Sequence, residues 1–167
     1  MIRSIAWTML FSAAAAILQS TLLSYIALYR VVPDLALVVI VFSAYVNGSM
    51  TGQLSGFFSG ILLDFLSAAP LGLNALIRTL TGAITGLLKG VFFLDIFLLP
   101  MILCAVATLF KALCLLLLHL LLGDVVPVYP IADPTLWIEL GLNTVCGTFL
   151  FALLRIFNPI FAERRKR

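Results

Sequence analysis

Long apolar runs separated by short turns dominate the chain, and each run has the length of a membrane helix or nearly so. Pro, Gly, Asn and the few charged residues mark the edges of the runs. The pattern predicts an all-α polytopic membrane protein, a bundle of about six transmembrane helices that leaves almost no residues for a soluble domain. The predicted spans are 4–28, 31–47, 49–66, 71–88, 96–122 and 135–157.

The second predicted span is the least regular of the six. Its apolar core, Leu35 to Val46, is shorter than the roughly 20 residues that a helix needs to cross a bilayer. The segment is therefore either a tilted span with local thinning of the bilayer or a re-entrant helix. The sequence Asn47-Gly48-Ser49 predicts a tight turn into the third span.

The composition agrees with a membrane protein. Hydrophobic residues make up 63% of the 167 residues, the mean hydropathy is +1.23, and 10% are charged, against about 25% charged residues in ordinary soluble domains. An aqueous fold could not bury this much apolar surface, so the soluble classes are excluded.

The basic residues predict the orientation. With six spans, Arg3, Lys89 and the tail residues Arg164 to Arg167 fall on one side, and the loops of the other side contain only Arg30. The positive-inside rule then places both termini in the cytoplasm, with residues 158–167 as a basic tail that also attracts anionic lipid. Arg3 followed by an apolar run also fits a cleavable signal peptide, which would leave five spans.

Two predicted spans carry glycine at every fourth position. The glycines are Gly52, Gly56 and Gly60 in the third span, and Gly82, Gly86 and Gly90 in the fourth. Residues at this spacing share one helix face, and in lipid small residues allow two helix backbones to approach closely. Two interpretations stay open: the faces pack against each other, or one of them receives the transmembrane helix of a partner.

Four ionisable residues lie at membrane depth in the predicted spans, namely Asp64, Arg78, Lys111 and Glu139. Their depths predict an ion pair between Asp64 and Arg78 and another between Lys111 and Glu139. Intramembrane charges are functional candidates by default, but here two acids and two bases balance, which favours a structural polar network. Contact with a partner and a substrate or proton pathway are the alternatives.

The sequence predicts no catalytic, cofactor or metal site. It contains neither G-x-x-x-x-G-K-[ST] nor G-x-G-x-x-G at the start of a helix. His119 is the single histidine, and Cys104, Cys114 and Cys146 match no ligand spacing and lie within spans, where inert packing is expected. An enzyme, a metalloprotein and a nucleic-acid-binding protein are all disfavoured.

The stretch from Gly52 to Leu76, G-Q-L-S-G-F-F-S-G-I-L-L-D-F-L-S-A-A-P-L-G-L-N-A-L, resembles the MreD family of bacterial rod shape-determining proteins. In that family a glycine-rich helix ends in an Asp, and a small turn with Pro-x-Gly leads into the next helix. The matching positions here are Gly56, Gly60, Asp64, Pro70 and Gly72. Pro33-Asp34-Leu35 also resembles the family's Pro followed by a polar residue, and length and span number fit the family along the whole chain.

The resemblance implies a non-enzymatic scaffold in the bacterial inner membrane, within the cell-elongation machinery that organises peptidoglycan synthesis. It implies packing against the transmembrane helix of MreC, a single-span protein with a periplasmic domain. MreB, RodZ, RodA and the transpeptidase partner of RodA belong to the wider complex, and self-association stays open. The fold is expected to be similar to the S component of energy-coupling-factor vitamin transporters.

An S component that binds a small vitamin-like molecule is therefore the second hypothesis. Its expected outer-half pocket is lined by Asp64, Arg78, Lys111, Glu139 and Asn143. The clustering of polar groups toward the outer side favours this hypothesis. The balance of charges and the few aromatic residues in the outer turns count against it.

Overall fold

Six α-helices account for most of the residues that the computed structural model describes, which are 1–21, 25, 31–67, 69–91, 97–129, 134–157 and 161. The helices are α1 (Ile2–Thr21), α2 (Leu35–Asn47), α3 (Ser49–Leu66), α4 (Leu73–Leu87), α5 (Leu98–Leu122) and α6 (Thr135–Ile156), and a 3₁₀ turn at Gly123–Val125 follows α5. The predicted all-helical fold class is confirmed.

Each predicted span overlaps one of these helices: α1 begins two residues before the first span, the other helices lie within their spans, and the predicted bounds of the third span, 49–66, are those of α3. Within the described residues, α1, α6 and the segment Leu98–Val125 are long and apolar enough to cross a membrane, and α2 is a shorter apolar helix. The end of the first predicted span, 22–28 apart from Tyr25, lies outside the described residues, as does the predicted basic tail apart from Phe161.

Helix α2 lies at the centre of the bundle, where it contacts all five other helices. Every residue from Ala36 to Ala44 is buried. A helix that is surrounded by protein needs apolar residues on all its sides, which explains an apolar run that Ser43 alone interrupts between Leu35 and Val46. With 13 residues, α2 is about 20 Å long, so it is shorter than a hydrocarbon core of about 30 Å. Asp34 and the residues of the first turn from Ala36 onward are buried inside the bundle.

Helices α3 and α4 form the most extensive helix pair, and they approach through glycines. A Cβ added at Gly56 would overlap the backbone carbonyl of Arg78, and one at Gly82 would overlap the carbonyl of Gly52. Gly60 lies against the backbone of α4 in the same way, and Gly86 against the backbone at the start of α3. Side chains at these positions would push the two backbones apart.

This packing agrees with the first interpretation of the glycine series, in which the two faces pack against each other, and not with the second, in which one face receives a helix from another protein. The face of Gly52, Gly56 and Gly60 is covered by α4, and the face of Gly82 and Gly86 is covered by α3. Gly90 does not belong to either face. It follows α4 with a φ of +75°, in the left-handed region that favours glycine, and a Cβ there would meet nothing within 4 Å.

Small polar residues and aromatic rings attach the remaining helices. Thr8 of α1 shares a 2.6 Å hydrogen bond with Ser43 of α2, and Ser12 of α1 bonds Ser59 of α3. The neighbouring residue of α2, Phe42, packs edge-on against Phe151 of α6, with ring centroids 5.2 Å apart. These contacts tie both terminal helices to the central pair α2 and α3.

Candidate functional site

Asp34 is the centre of a buried polar network at the end of the bundle where α2 begins. It is the N-cap of α2, and its Oδ1 accepts a 3.0 Å hydrogen bond from the backbone N–H of Leu37. The same oxygen lies 2.7 Å from Nη2 of Arg78, and Oδ2 lies 3.1 Å from Nζ of Lys111. A buried carboxylate is tolerable only when it is paired and hydrogen-bonded, and Asp34 meets both conditions.

Lys111 extends the network from α5 to α6. Its Nζ lies 2.7 Å from Oε1 of Glu139, so the ammonium group bridges two carboxylates. The predicted pair of Lys111 with Glu139 is therefore present in the structure. The two acids and two bases of the network come from the start of α2 and from α4, α5 and α6, so a single cluster links four helices.

Tyr129, in the connection between α5 and α6, closes the network from outside the helices. Its hydroxyl donates a 2.5 Å hydrogen bond to Oε2 of Glu139. Burial is the main cause that raises the pKa of Tyr129 to about 12, the Glu139 carboxylate acts in the same direction, and the Lys111 cation opposes them. The phenol therefore stays protonated and remains a hydrogen-bond donor across the physiological pH range.

Asn143 joins the network to the packed core. Its Oδ1 accepts a 2.6 Å hydrogen bond from the backbone N–H of Asp34, and its Nδ2 donates at 3.0 Å to the hydroxyl of Thr108. Thr108 in turn donates to the carbonyl of Cys104, one turn earlier in α5. The asparagine thus fixes the backbone position of Asp34 relative to α5 and α6.

The predicted pair of Asp64 with Arg78 is wrong. Asp64 instead accepts hydrogen bonds from the backbone N–H groups of Gly72, Asn74 and Ala75, at 2.9, 2.9 and 3.2 Å. The first N–H groups of a helix have no partner within it and attract an anion. Because the turn between α3 and α4 is short, Asp64 lies directly over the start of α4 and caps it.

The turn motif of Pro70 and Gly72 makes this cap possible. The carbonyl of Pro70 accepts a 3.1 Å hydrogen bond from Leu73, and Gly72 has a φ of +93° at the N-cap position of α4. Glycine reaches that conformation without strain, so the backbone can turn its N–H groups toward Asp64.

Asp34 is the network residue that the sequence reasoning did not include among the intramembrane charges. Its signal was present, because an Asp directly after Pro33 and before an uncharged apolar run is a typical N-cap. Leaving Asp34 out of the intramembrane charges left Arg78 with Asp64 as the nearest available acid. In the structure Arg78 reaches α2 instead, and its Nη1 is buried without a hydrogen-bond partner among the described residues.

A cavity of about 270 Å³ lies beside the network. Its polar lining includes Gln19, Asp34, Lys111, Tyr129 and Glu139, and it is more open than enclosed. The predicted pocket is therefore only partly realised. Lys111 and Glu139 line the cavity, whereas Arg78 and Asn143 contact Asp34 from elsewhere and Asp64 caps α4.

The side chains of the histidine and the cysteines take no part in the network. His119 Nδ1 lies 2.9 Å from the carbonyl oxygen of Val126, Cys104 and Cys114 are buried, and Cys146 is half-buried. Within the described part of the chain, no group of three or more His, Cys, Asp or Glu side chains is placed to hold a metal ion.

One family model matches the chain over residues 1–157, and its description is rod shape-determining protein MreD. The match covers nearly the whole chain, including every helix and every residue of the polar network. No curated protein and no solved structure matches the chain, so the expected likeness to an S component stays a prediction.

Proposed function

Since the chain belongs to the MreD family of rod shape-determining proteins, we propose that it acts in cell elongation as a non-enzymatic membrane scaffold. Family membership supports a role in rod-shape determination. The scaffold role fits a bundle whose helices are fixed from inside, by the glycine contacts of α3 with α4 and by the network around Asp34. Such a body can hold a partner helix at a constant position and tilt.

The partner surface in this proposal is the outward face of α6. The main support for the proposal is that this face is exposed and consists largely of small residues. Gly141, Val145, Thr148 and Ala152 lie within about 60° of one another around the helix axis. A Cβ at Gly141 would meet nothing within 4 Å, and Val145 is 55% exposed. Small residues on the lipid side of a membrane helix favour close packing with another helix.

The proposed occupant of this α6 face is the transmembrane helix of MreC, with MreB, RodZ, RodA and its transpeptidase partner in the wider complex. The proposed setting is the bacterial inner membrane with both termini in the cytoplasm. The positions of Arg3 at the start of α1, Lys89 after α4 and Arg155 in the last turn of α6 support this orientation, because all three belong to the same end of the bundle.

Site-specific crosslinking in cells tests the proposal with matched positions. Val145→Cys on the α6 face is compared with Val106→Cys, at a valine of α5 that is 43% exposed on the surface of the bundle. Both are placed in a background in which the three native cysteines are replaced by alanine. We expect a crosslink to a cysteine in the MreC helix from position 145 and none from position 106.

A bulky substitution supplies the second measurement. Gly141→Leu should leave the amount and thermal stability of the protein unchanged, because the position is open, and should reduce co-purification of MreC and produce rounded cells. Equal crosslinking from positions 145 and 106, or normal co-purification with Gly141→Leu, would show that MreC does not use this face.

The cavity beside Asp34 favours the S component as a second candidate function, because a transporter subunit needs a ligand pocket within its bundle. The distinguishing measurement is co-purification. An S component should bring down the membrane and ATPase subunits of an energy-coupling factor, and a scaffold should bring down MreC. Retrieval of MreC without any ATPase would reject the second candidate.

A further inference from the structure

The cavity of about 270 Å³ has a charged, hydrogen-bonding wall and an apolar wall. Asp34, Glu139 and Lys111 form its charged wall, Gln19 and Tyr129 contribute an amide and a phenol, and neighbouring residues such as Val32 form an apolar wall. Asp34 and Glu139 are more than nine-tenths buried. The cavity is therefore an open recess with buried, fixed polar groups along one wall; small-molecule sites likewise use a few fixed polar groups to orient a ligand.

The charges of this wall are already compensated. Asp34 is paired with Arg78 and Lys111, and Glu139 is paired with Lys111 and accepts from Tyr129. The two carboxylates and two cations cancel. A charged ligand would lose its hydration on entering and would find no uncompensated opposite charge to replace it. An uncharged ligand avoids that loss.

Hydrogen-bonding capacity is nevertheless left over. An ammonium group has three donors, and Lys111 uses two of them, toward Asp34 and Glu139. The side-chain nitrogen of Gln19 has no partner among the described residues, and its oxygen makes only a long 3.5 Å contact with the backbone N–H of Ala36. Each carboxylate oxygen can accept more than one hydrogen bond. The wall can therefore serve a ligand that both donates and accepts.

We propose that this cavity binds a small uncharged molecule with several hydroxyl or amide groups, of about the size of a monosaccharide. Its volume corresponds to about nine water molecules in the liquid. The polar groups of the ligand face Lys111, Gln19 and the two carboxylates, and its C–H surface faces Val32. This inference depends on the cavity and its charges and holds whether or not the α6 face binds MreC.

Protection from thiol modification tests the proposal on the full-length protein in lipid nanodiscs. Val32→Cys is modified with N-ethylmaleimide in the presence of glucose, glucosamine or glucuronate, which have similar size and are neutral, cationic and anionic. Val125→Cys, which is 68% exposed and lines a separate apolar groove near the end of α5, is the control. Peptide mass spectrometry reads each position separately from the native cysteines.

We expect glucose to slow modification of Val32→Cys by about tenfold at ten times its dissociation constant, and to leave Val125→Cys unchanged. Glucosamine and glucuronate should protect far less at the same concentration. No protection by glucose, equal protection by all three compounds, or equal protection at both positions would overturn the proposal.

A charge placed in the wall gives a second, independent outcome. Gln19→Glu keeps the shape of the side chain and adds one negative charge that no cation of the network balances. In the Gln19→Glu variant, glucosamine should protect Val32→Cys better than glucose does. In the Gln19→Leu variant, none of the three compounds should protect Val32→Cys. If Gln19→Glu kept the preference for glucose, compensation of charge would not be the reason for the selectivity.

Discussion

Removing Lys111 from the network tests whether the four buried charges act as a unit. Lys111→Met keeps the length of the side chain and removes the cation that lies 2.7 Å from Glu139 and 3.1 Å from Asp34. Asp34 keeps its bond to Arg78, but among the described residues Glu139 is left as a buried carboxylate with the Tyr129 hydroxyl as its one side-chain donor. Breaking a buried pair in this way costs about 3–5 kcal/mol.

Deleting both charges should be less damaging than deleting one. In the double variant Lys111→Met with Glu139→Gln, no unpaired charge is buried, and the amide oxygen can still accept from Tyr129. The expected interaction energy between the two positions is about 0.5–3 kcal/mol. Lys89→Met, a lysine exposed at the other end of the bundle, should change stability by less than about 0.5 kcal/mol.

The assay is thermal unfolding of the purified protein in one detergent. Unfolding is monitored as the loss of the fraction that remains monodisperse after heating. At about 2–4 °C per kcal/mol for a chain of this size, Lys111→Met should lower Tm by about 6–20 °C. The double variant should regain a measurable part of that loss. Equal Tm values for the single and double variants, or a single variant no less stable than Lys89→Met, would refute the reasoning.

Three further variants probe other parts of the structure. Gly56→Ala should destabilise the bundle by about 1–3 kcal/mol or more, because its Cβ would overlap the α4 backbone. Gly141→Ala should leave the stability unchanged, because that position is open. Equal Tm values for the two variants would show that close contact at Gly56 does not stabilise the α3–α4 pair. Asp64→Ala leaves three backbone N–H groups at the start of α4 without their acceptor, and each buried, unpaired N–H lowers the free energy of unfolding by about 1–3 kcal/mol. In the same unfolding assay Asp64→Asn should lose less stability, because its side chain retains an acceptor. In the folded chain the pKa of Tyr129 is raised from 10.0 to about 12, so the stability that its phenol contributes is complete below pH 10 and is lost between pH 10 and 12. Over that range the Tm of the wild-type chain should fall more steeply than the Tm of Tyr129→Phe. Parallel curves of Tm against pH would show that the phenol does not contribute to stability.

Some residues were interpretable from the sequence because their role is local. The bounds of α3, the turn at Gly48 and the turn motif of Pro70 and Gly72 follow from apolar run length and from glycine conformations. The pair of Lys111 with Glu139 could also be predicted from the sequence, because two opposite charges of adjacent helices at similar depth have few other partners. The match to the MreD model confirms the family resemblance that the stretch from Gly52 to Leu76 indicated.

The sequence by itself determined where the helices lie, because twenty or so apolar residues in a row have few alternatives to a helix in lipid. Only the tertiary structure decided which side chains meet. Depth in the membrane does not fix the direction in which a side chain points around its helix, so Arg78 could equally have faced Asp64 or Asp34. The packing of α2 at the centre of the bundle brought Asp34 to Arg78 and Lys111, over sequence separations of 44 and 77 residues, and turned the glycines of α3 and α4 toward each other.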